Sequence, residues 1–209
     1  ASRQKAQTLS CTLFIPSSSK SLDKFQNGSE VLDFLQVNFP TIASSISLAE
    51  AEDFLQSKLA KIWTVSCNRY HYRDRALIIG DAAHAISPSI GQGCNSALED
   101  VMVLDDLLDK YNDNWQEVLP QYSQSRIVDA HAVRELADHA LPLTKGMFIL
   151  FMIKLTINRT LHRIFPQTFP LPFFDLIPDT TIAYSEIYRS AKNWITLVKK
   201  SNERYLKRV

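Results

Sequence analysis

Glycine is scarce in this chain, five residues in 209, and no Gly-x-Gly-x-x-Gly occurs anywhere. That absence excludes a self-contained Rossmann turn, in which such spacing lets the backbone approach a pyrophosphate. Cysteine is sparse too. Cys11, Cys67 and Cys94 contain no Cys-x-x-Cys spacing and are odd in number. They argue against a disulfide framework or a zinc site and suit a reducing, cytoplasmic compartment. A formal net charge of +1 gives no bulk attraction to nucleic acid or to an anionic membrane. No long hydrophobic run is present. The most apolar one, Met147 to Ile157, is too short to span a bilayer and contains Lys154; it is expected to be a buried or cleft-lining helix. The opening "ASRQKAQTLSCTLFIP" has no Met start and runs from polar residues into an alternating pattern. It reads as a cut within a longer protein rather than as a signal peptide.

What the chain does contain changes character along its length. Thr8 to Ile15, Ile62 to Cys67 and Ala76 to Ile79 read as strands, the last as a continuous apolar run covered on both faces. Between them, Val31, Leu32, Leu35 and Phe39 make a helical stripe with Ser29 as N-cap and Pro40 as stop, and Leu48 to Leu59 forms a second short helix. From Ser96 the pattern is helical. Ala97, Val101, Leu104 and Leu108 give one stripe, Trp115 to His139 a second helix, and Leu143 to Ile164 a third. A proline-rich connection then leads to a last helix from about Thr181. The expected fold class is α/β, α+β within this chain: a strand-rich first half carrying the end of a ligand-binding domain, then a mostly helical C-terminal region. The expected domains are 1–75, part of a sheet domain; 76–140, the end of the ligand-binding domain; and 141–209, a helical region over the substrate side.

Three of the five glycines fall in "RALIIGDAAHAISPSIGQGCNSALEDV", Arg75 to Val101. Asp81 follows a hydrophobic strand, at the strand end where α/β proteins bind ligands. Its carboxylate accepts hydrogen bonds only, which suits hydroxyl groups. Pro88 stiffens the loop. Gly91 and Gly93 let backbone N–H groups approach a ligand directly. A helix starting near Asn95 aims its unpaired N–H groups and positive dipole end at the same place. Such a site accepts a polyhydroxyl group at one end and an anion-forming group at the other.

"GDAAHAISPSIGQGCNSALED" resembles the second FAD-binding fingerprint of the single-component flavoprotein aromatic hydroxylases. The similarity extends to "LPQYSQSRIVDAHAVRELA", "IFPQTF" and Tyr184, and back to "TLSCTLFIP" and "VLDFLQVNFP". It implies the carboxyl-terminal half of such an enzyme. By that resemblance Asp81 holds the ribityl chain of FAD and Pro88 lies beside the flavin ring. Gly91, Gln92, Gly93, Cys94 and Asn95 face its pyrimidine side. Ser89, Ile90, Met147 and Tyr184 fall on the substrate side, where Ser89 and Ile90 replace the family's aromatic residues and Met147 lies near the position of a substrate-binding asparagine. The resemblance further implies NADPH as reductant, O₂ as co-substrate, a small aromatic substrate, and no catalytic acid–base residue or metal. The family's GxGxxG and its middle "DG" fingerprint are absent, so an amino-terminal FAD-binding half is an implied partner and tight FAD retention by these residues alone is not expected. No nucleic acid or transmembrane segment is implied. Two further readings stand beside this one: a related flavoprotein epoxidase or hydroxylase with another substrate, and a non-catalytic helical interaction module.

Other residues carry blander expectations. His84 is expected to bond backbone near the loop rather than to catalyse. Arg126, Asp129 and His131 do not share one helix face, and a helix ion pair is the expectation. Glu99 and Asp100 are expected to stabilise the first turn of the motif helix. Cys94 is expected to pack beside the cofactor, and Phe148, Phe151, Phe173 and Phe174 to belong to the core.

Overall fold

A computed structural model describes residues 2–3, 9–10, 13, 25–57, 61–179 and 181–208. They fall into two compact units, residues 1–61 and 62–208. In the first, α1 (Gly28–Asn38), α2 (Pro40–Ala43) and α3 (Leu48–Gln56) pack together. The cap of α1 is Asn27, not Ser29; its side chain accepts the Glu30 N–H at 3.0 Å. Pro40 does not simply stop α1 but opens α2 at a position where its missing N–H costs nothing. A capping box starts α3: Ser47 Oγ accepts the Glu50 N–H, and the Glu50 carboxylate accepts the Ser47 N–H at 2.7 Å.

The expectation of a strand-rich first half is not met. Among the described residues the strands are two-residue pairs: β1 (Ser2–Arg3) with β2 (Leu9–Ser10), and β3 (His71–Tyr72) with β4 (Ala76–Leu77), both antiparallel. The rest of the Thr8–Ile15 candidate lies outside the described residues apart from Leu13. Ile62–Cys67 forms no strand ladder; its Val65 N–H donates to the Ala85 carbonyl at 2.8 Å. Nor is "ALII" covered on both faces, for Ile78 and Ile79 are exposed. A continuous apolar run records the capacity to be buried between layers. Without neighbouring strands on either side, a ladder cannot propagate past the hairpin.

The second unit is helical: α4 (Asp81–His84), a 3₁₀ turn (Pro88–Ile90), α5 (Gly93–Lys110), α6 (Trp115–His139), α7 (Lys145–Ile164), α8 (Phe173–Asp179) and α9 (Tyr184–Leu206). Two clusters hold it together, and α6 supplies both. Val133 and Leu136 of α6 meet Phe151 and Leu155 of α7, Ile177 of α8, and Ile187, Trp194, Ile195 and Val198 of α9. Phe151 stacks on Trp194 with centroids 6.0 Å apart. In the other cluster Tyr122 and Ala130 of α6 join Tyr70 and Ala83, with Val103, Leu104 and Leu107 of α5 against them.

Three expectations are adjusted here. The inward face of α5 is Ser96, Asp100, Leu104 and Leu107, whereas Val101 faces solvent. The apolar helix α7 is buried only at Phe151 and Leu155; Phe148, Ile149, Leu150, Met152 and Ile153 are exposed. The proline-rich connection holds α8, tied to α7 by Arg159 Nε on Asp175 Oδ2 at 2.8 Å. Among the described residues no helix is long and apolar enough to cross a membrane.

Candidate functional site

The motif folds into a bent strap around an open cleft of about 480 Å³, lined by Asp81, Ile86, Pro88, Gly91, Gly93, Cys94 and Ala97. Three residues past the hairpin lies Gly80, whose φ of 57° and ψ of −139° lie where only glycine is at ease. This sharp reversal places Asp81 at the first position of α4 rather than at the end of a regular strand. The 3₁₀ turn starts with Pro88 and closes on Gly91, at φ 67° in the left-handed region. Then α5 begins at Gly93, two residues before the expected start, and no side chain caps it. Its first N–H groups and positive dipole end therefore remain available at the cleft.

The glycines make this floor bare. A Cβ on Gly91 would meet nothing within 4 Å, and one on Gly93 only Ile86 Cγ1 at 3.8 Å. Among the described residues no side chain comes within 4 Å of that position at Gly91. A carboxylate at one end and uncapped amides at the other fit a group with hydroxyls and an electron-rich heterocycle, which are the features of a flavin.

Of the residues expected around a cofactor, Asp81, Pro88, Gly91, Gly93 and Cys94 lie together on the cleft. Gln92 and Asn95 do not line it. The Gln92 side chain is buried, and its Oε1 accepts from Asn95 Nδ2 at 3.0 Å and from the Tyr184 hydroxyl at 3.0 Å. Burial, then the Glu99 charge, raises the Tyr184 phenol, keeping it a donor. The residues expected on the substrate side do not converge on the cleft either. Ser89 Oγ donates to the Ala137 carbonyl in α6, while Ile90 and Met147 pack against the larger core cluster.

Beneath the cleft lies a buried polar knot that the sequence reading missed. Asp100, fully buried, is placed seven residues into α5 and so lies below its first turn. Its Oδ2 accepts the Gly80 N–H at 2.7 Å and His84 Nε2 at 2.6 Å; its Oδ1 accepts Arg126 Nε at 2.7 Å. Arg126, 2% exposed, also donates to the Ser96 carbonyl at 3.3 Å and pairs with Glu99 at 3.1 Å. Burial alone would push the Asp100 carboxyl up, but the hydrogen bonds from His84, Gly80 and Arg126 outweigh it and hold the group below its ordinary value. Burial likewise opposes the Arg126 charge, and Asp100 and Glu99 more than restore it. Burial and the Asp100 charge push the neighbouring Tyr70 phenol up to about 12.

His84 therefore bonds a carboxylate, not backbone as expected. The Arg126–Asp129 pair exists at 3.8 Å but is the lesser contact. Asp129 caps α9 instead, accepting the Ser185 N–H at 3.0 Å, and His131 turns away to Ser66 and the Cys67 carbonyl. The signal for Asp100 was present: an acid on the apolar face of α5, with a lone arginine on the inner face of α6.

Comparison with known proteins agrees with this geometry. Residues 40–137 match the family described as the FAD binding domain. The chain is 33% identical over 183 residues to the kynurenine 3-monooxygenase of Sus scrofa, covering 86% of this chain and 38% of that protein. It is 32% identical over 182 residues to that of Flavobacterium psychrophilum, covering 86% and 40%. To that of Caenorhabditis elegans it is 30% identical over 196 residues, covering 92% and 41%. The chain thus spans about two fifths of the length of these relatives.

Proposed function

We propose that this chain supplies the ribityl and pyrimidine side of the FAD site in an FAD- and NADPH-dependent monooxygenase that hydroxylates a small aromatic substrate of the L-kynurenine kind. The observation that carries this is the cleft itself, which gathers the Asp81 carboxylate, the bare Gly91–Gly93 backbone and the uncapped start of α5. Asp81 would accept hydrogen bonds from ribityl hydroxyls. The α5 amides would face the pyrimidine edge and stabilise the negative charge it carries when reduced. Pro88 and Ile86 would shield one side from water. When bound, FAD supplies electron transfer and oxygen activation; the residues of this chain bind, orient and exclude solvent. Because the sequence has no GxGxxG, the ADP part of FAD would rest on an amino-terminal FAD-binding half. The exposed thiol of Cys94 suits a reducing, cytoplasmic setting.

A second reading, a related hydroxylase or epoxidase with another substrate, draws support from the substrate side. Ser89, Ile90 and Met147 are engaged in packing or in a backbone hydrogen bond. Flavin fluorescence on titrating FAD into this chain tests the site: weak, dialysable binding is expected. Stoichiometric FAD surviving dialysis would overturn the half-site reading, and no binding at any concentration would overturn the flavin reading. In a protein carrying this segment with its GxGxxG half, kynurenine should accelerate NADPH oxidation and yield a hydroxylated product. Acceleration by a different aromatic alone would favour the second reading.

A further inference from the structure

The cleft has two walls, α4 with Asp81 and the first turns of α5 with Gly93, Cys94 and Ala97. Within α4 the Ala83 and His84 N–H groups bond the Gly80 carbonyl, both at 2.9 Å, and Ala83 packs against Tyr70 and Tyr122. The polar links between the walls all end on one carboxylate. Asp100 belongs to α5, and its Oδ2 takes both the N–H of Gly80, immediately before Asp81, and Nε2 of His84 at the far end of α4. Its other oxygen is fixed by Arg126 of α6, which also holds the Ser96 carbonyl in the α5 first turns.

We propose that Asp100 is a positioning residue for the FAD site. It clamps α4 at both ends and so sets the distance between the Asp81 carboxylate and the α5 amides, with Arg126 as the counter-charge that fixes its orientation. The proposal rests on the flavin reading of the cleft. A carboxylate with two oxygens and several lone-pair directions is the side chain that can accept three donors from three elements at once. Being ionised and buried, it makes those bonds strong and short, so the clamp is stiff. A packing residue of the same size could fill the space but could not orient the Gly80 N–H, and the Ile79–Gly80 peptide that leads into Asp81 would be free to turn. His84 is then the second arm of the clamp rather than an acid or base.

Removing Asp100 alone strands a buried guanidinium, so the informative variant removes both charges, D100L/R126M. It is measured with His84→Ala and His84→Gln, the glutamine amide being able to donate to Asp100 in place of the imidazole. Two readouts are taken on the 209-residue chain: hydrogen exchange of the Gly80 amide, and FAD affinity from flavin fluorescence. In D100L/R126M, folded by circular dichroism, Gly80 exchange should quicken about tenfold or more, and FAD affinity should fall about tenfold with Asp81 intact. His84→Ala should lose part of the affinity and His84→Gln recover it. A folded double variant with wild-type Gly80 protection and FAD affinity would overturn the proposal, as would equal losses in His84→Ala and His84→Gln. If the wild-type chain binds no FAD, the flavin reading fails separately. Faster Gly80 exchange in the double variant would then still uphold Asp100 as the clamp on α4, and unchanged exchange would refute it.

Discussion

Gly80 and Gly91 both have positive φ, yet for different local reasons, and substitution separates them. At Gly91 a methyl group meets open space, so Gly91→Ala incurs only the left-handed backbone cost of about 1–2 kcal/mol. At Gly80 the ψ of −139° leaves the left-handed basin, while a Cβ would only touch Ala97 Cβ at 3.4 Å. Gly80→Ala should cost more, about 2–3 kcal/mol, in urea unfolding; equal losses at the two sites would contradict the geometry. Asp81→Ala should lower FAD affinity about tenfold or more while leaving stability nearly unchanged, since its carboxylate faces the cleft. Asp100 behaves oppositely. Its carboxyl is held below the ordinary value, so the unfolded chain takes up the proton first as pH falls. Its stabilising effect is complete above the ordinary carboxyl range near pH ~4 and is lost as pH falls through the lower folded value. Asp100→Asn should cost about 3–5 kcal/mol at neutral pH, with the gap from wild type narrowing below pH ~4 in denaturant titrations. A pH-independent gap would show that the carboxylate charge is not what matters.

At the level of elements, helices with complete periodic stripes were legible and those built on polar burial were not. The expected helix Trp115–His139 coincides with α6, whose buried face carries Val118, Leu119, Tyr122, Val133 and Leu136. The face of α5 was misplaced because two of its inward residues, Ser96 and Asp100, are polar, and a hydrophobic pattern cannot see an acid buried by its partners. The short α8 was hidden by its prolines. Yet Pro172 precedes the helix and Pro178 lies in its last turn, while Phe174 and Ile177 hold it to the core. The cleft itself was legible as far as backbone chemistry determines it: glycines, the loop proline and a helix start. The inward turn of Gln92 toward Tyr184 was not, since it depends on a residue 92 positions away. Capping, by contrast, is local and readable. Ser47→Ala should remove one arm of the α3 capping box and cost about 1 kcal/mol, seen as reduced helicity of the first unit; unchanged helicity would mean the box contributes nothing.

For the whole molecule, the placement of tryptophan offers a clean separation of the two units. Trp63, Trp115 and Trp194 all belong to residues 62–208, and of these Trp194 alone is buried, at 6% exposed. Tryptophan fluorescence should therefore follow the α6–α9 core, whereas circular dichroism sums both units. The expected outcome in urea is two transitions that do not coincide, with Ser47→Ala moving the dichroism curve and leaving the fluorescence curve in place. A single shared midpoint that shifts in both probes would mean the units unfold as one. The second unit also exposes a run of apolar side chains on α7, among them Ile149 at 59% and Ile153 at 52%, larger in extent than isolated surface residues.

The position of α6 has a kinetic consequence. It is the one helix common to both clusters, meeting α9 along one side and Tyr70, Ala83 and α5 along another. Neither cluster can close on an unformed α6, so the rate-limiting step of folding should have this helix already in place. Conservative truncations at Val133 and at Tyr122, one from each cluster, should both slow folding more than they hasten unfolding, whereas truncation at Leu155 of α7 should act mainly on unfolding. The helix that turns Arg126 toward Asp100 would then also be the one around which the second unit assembles.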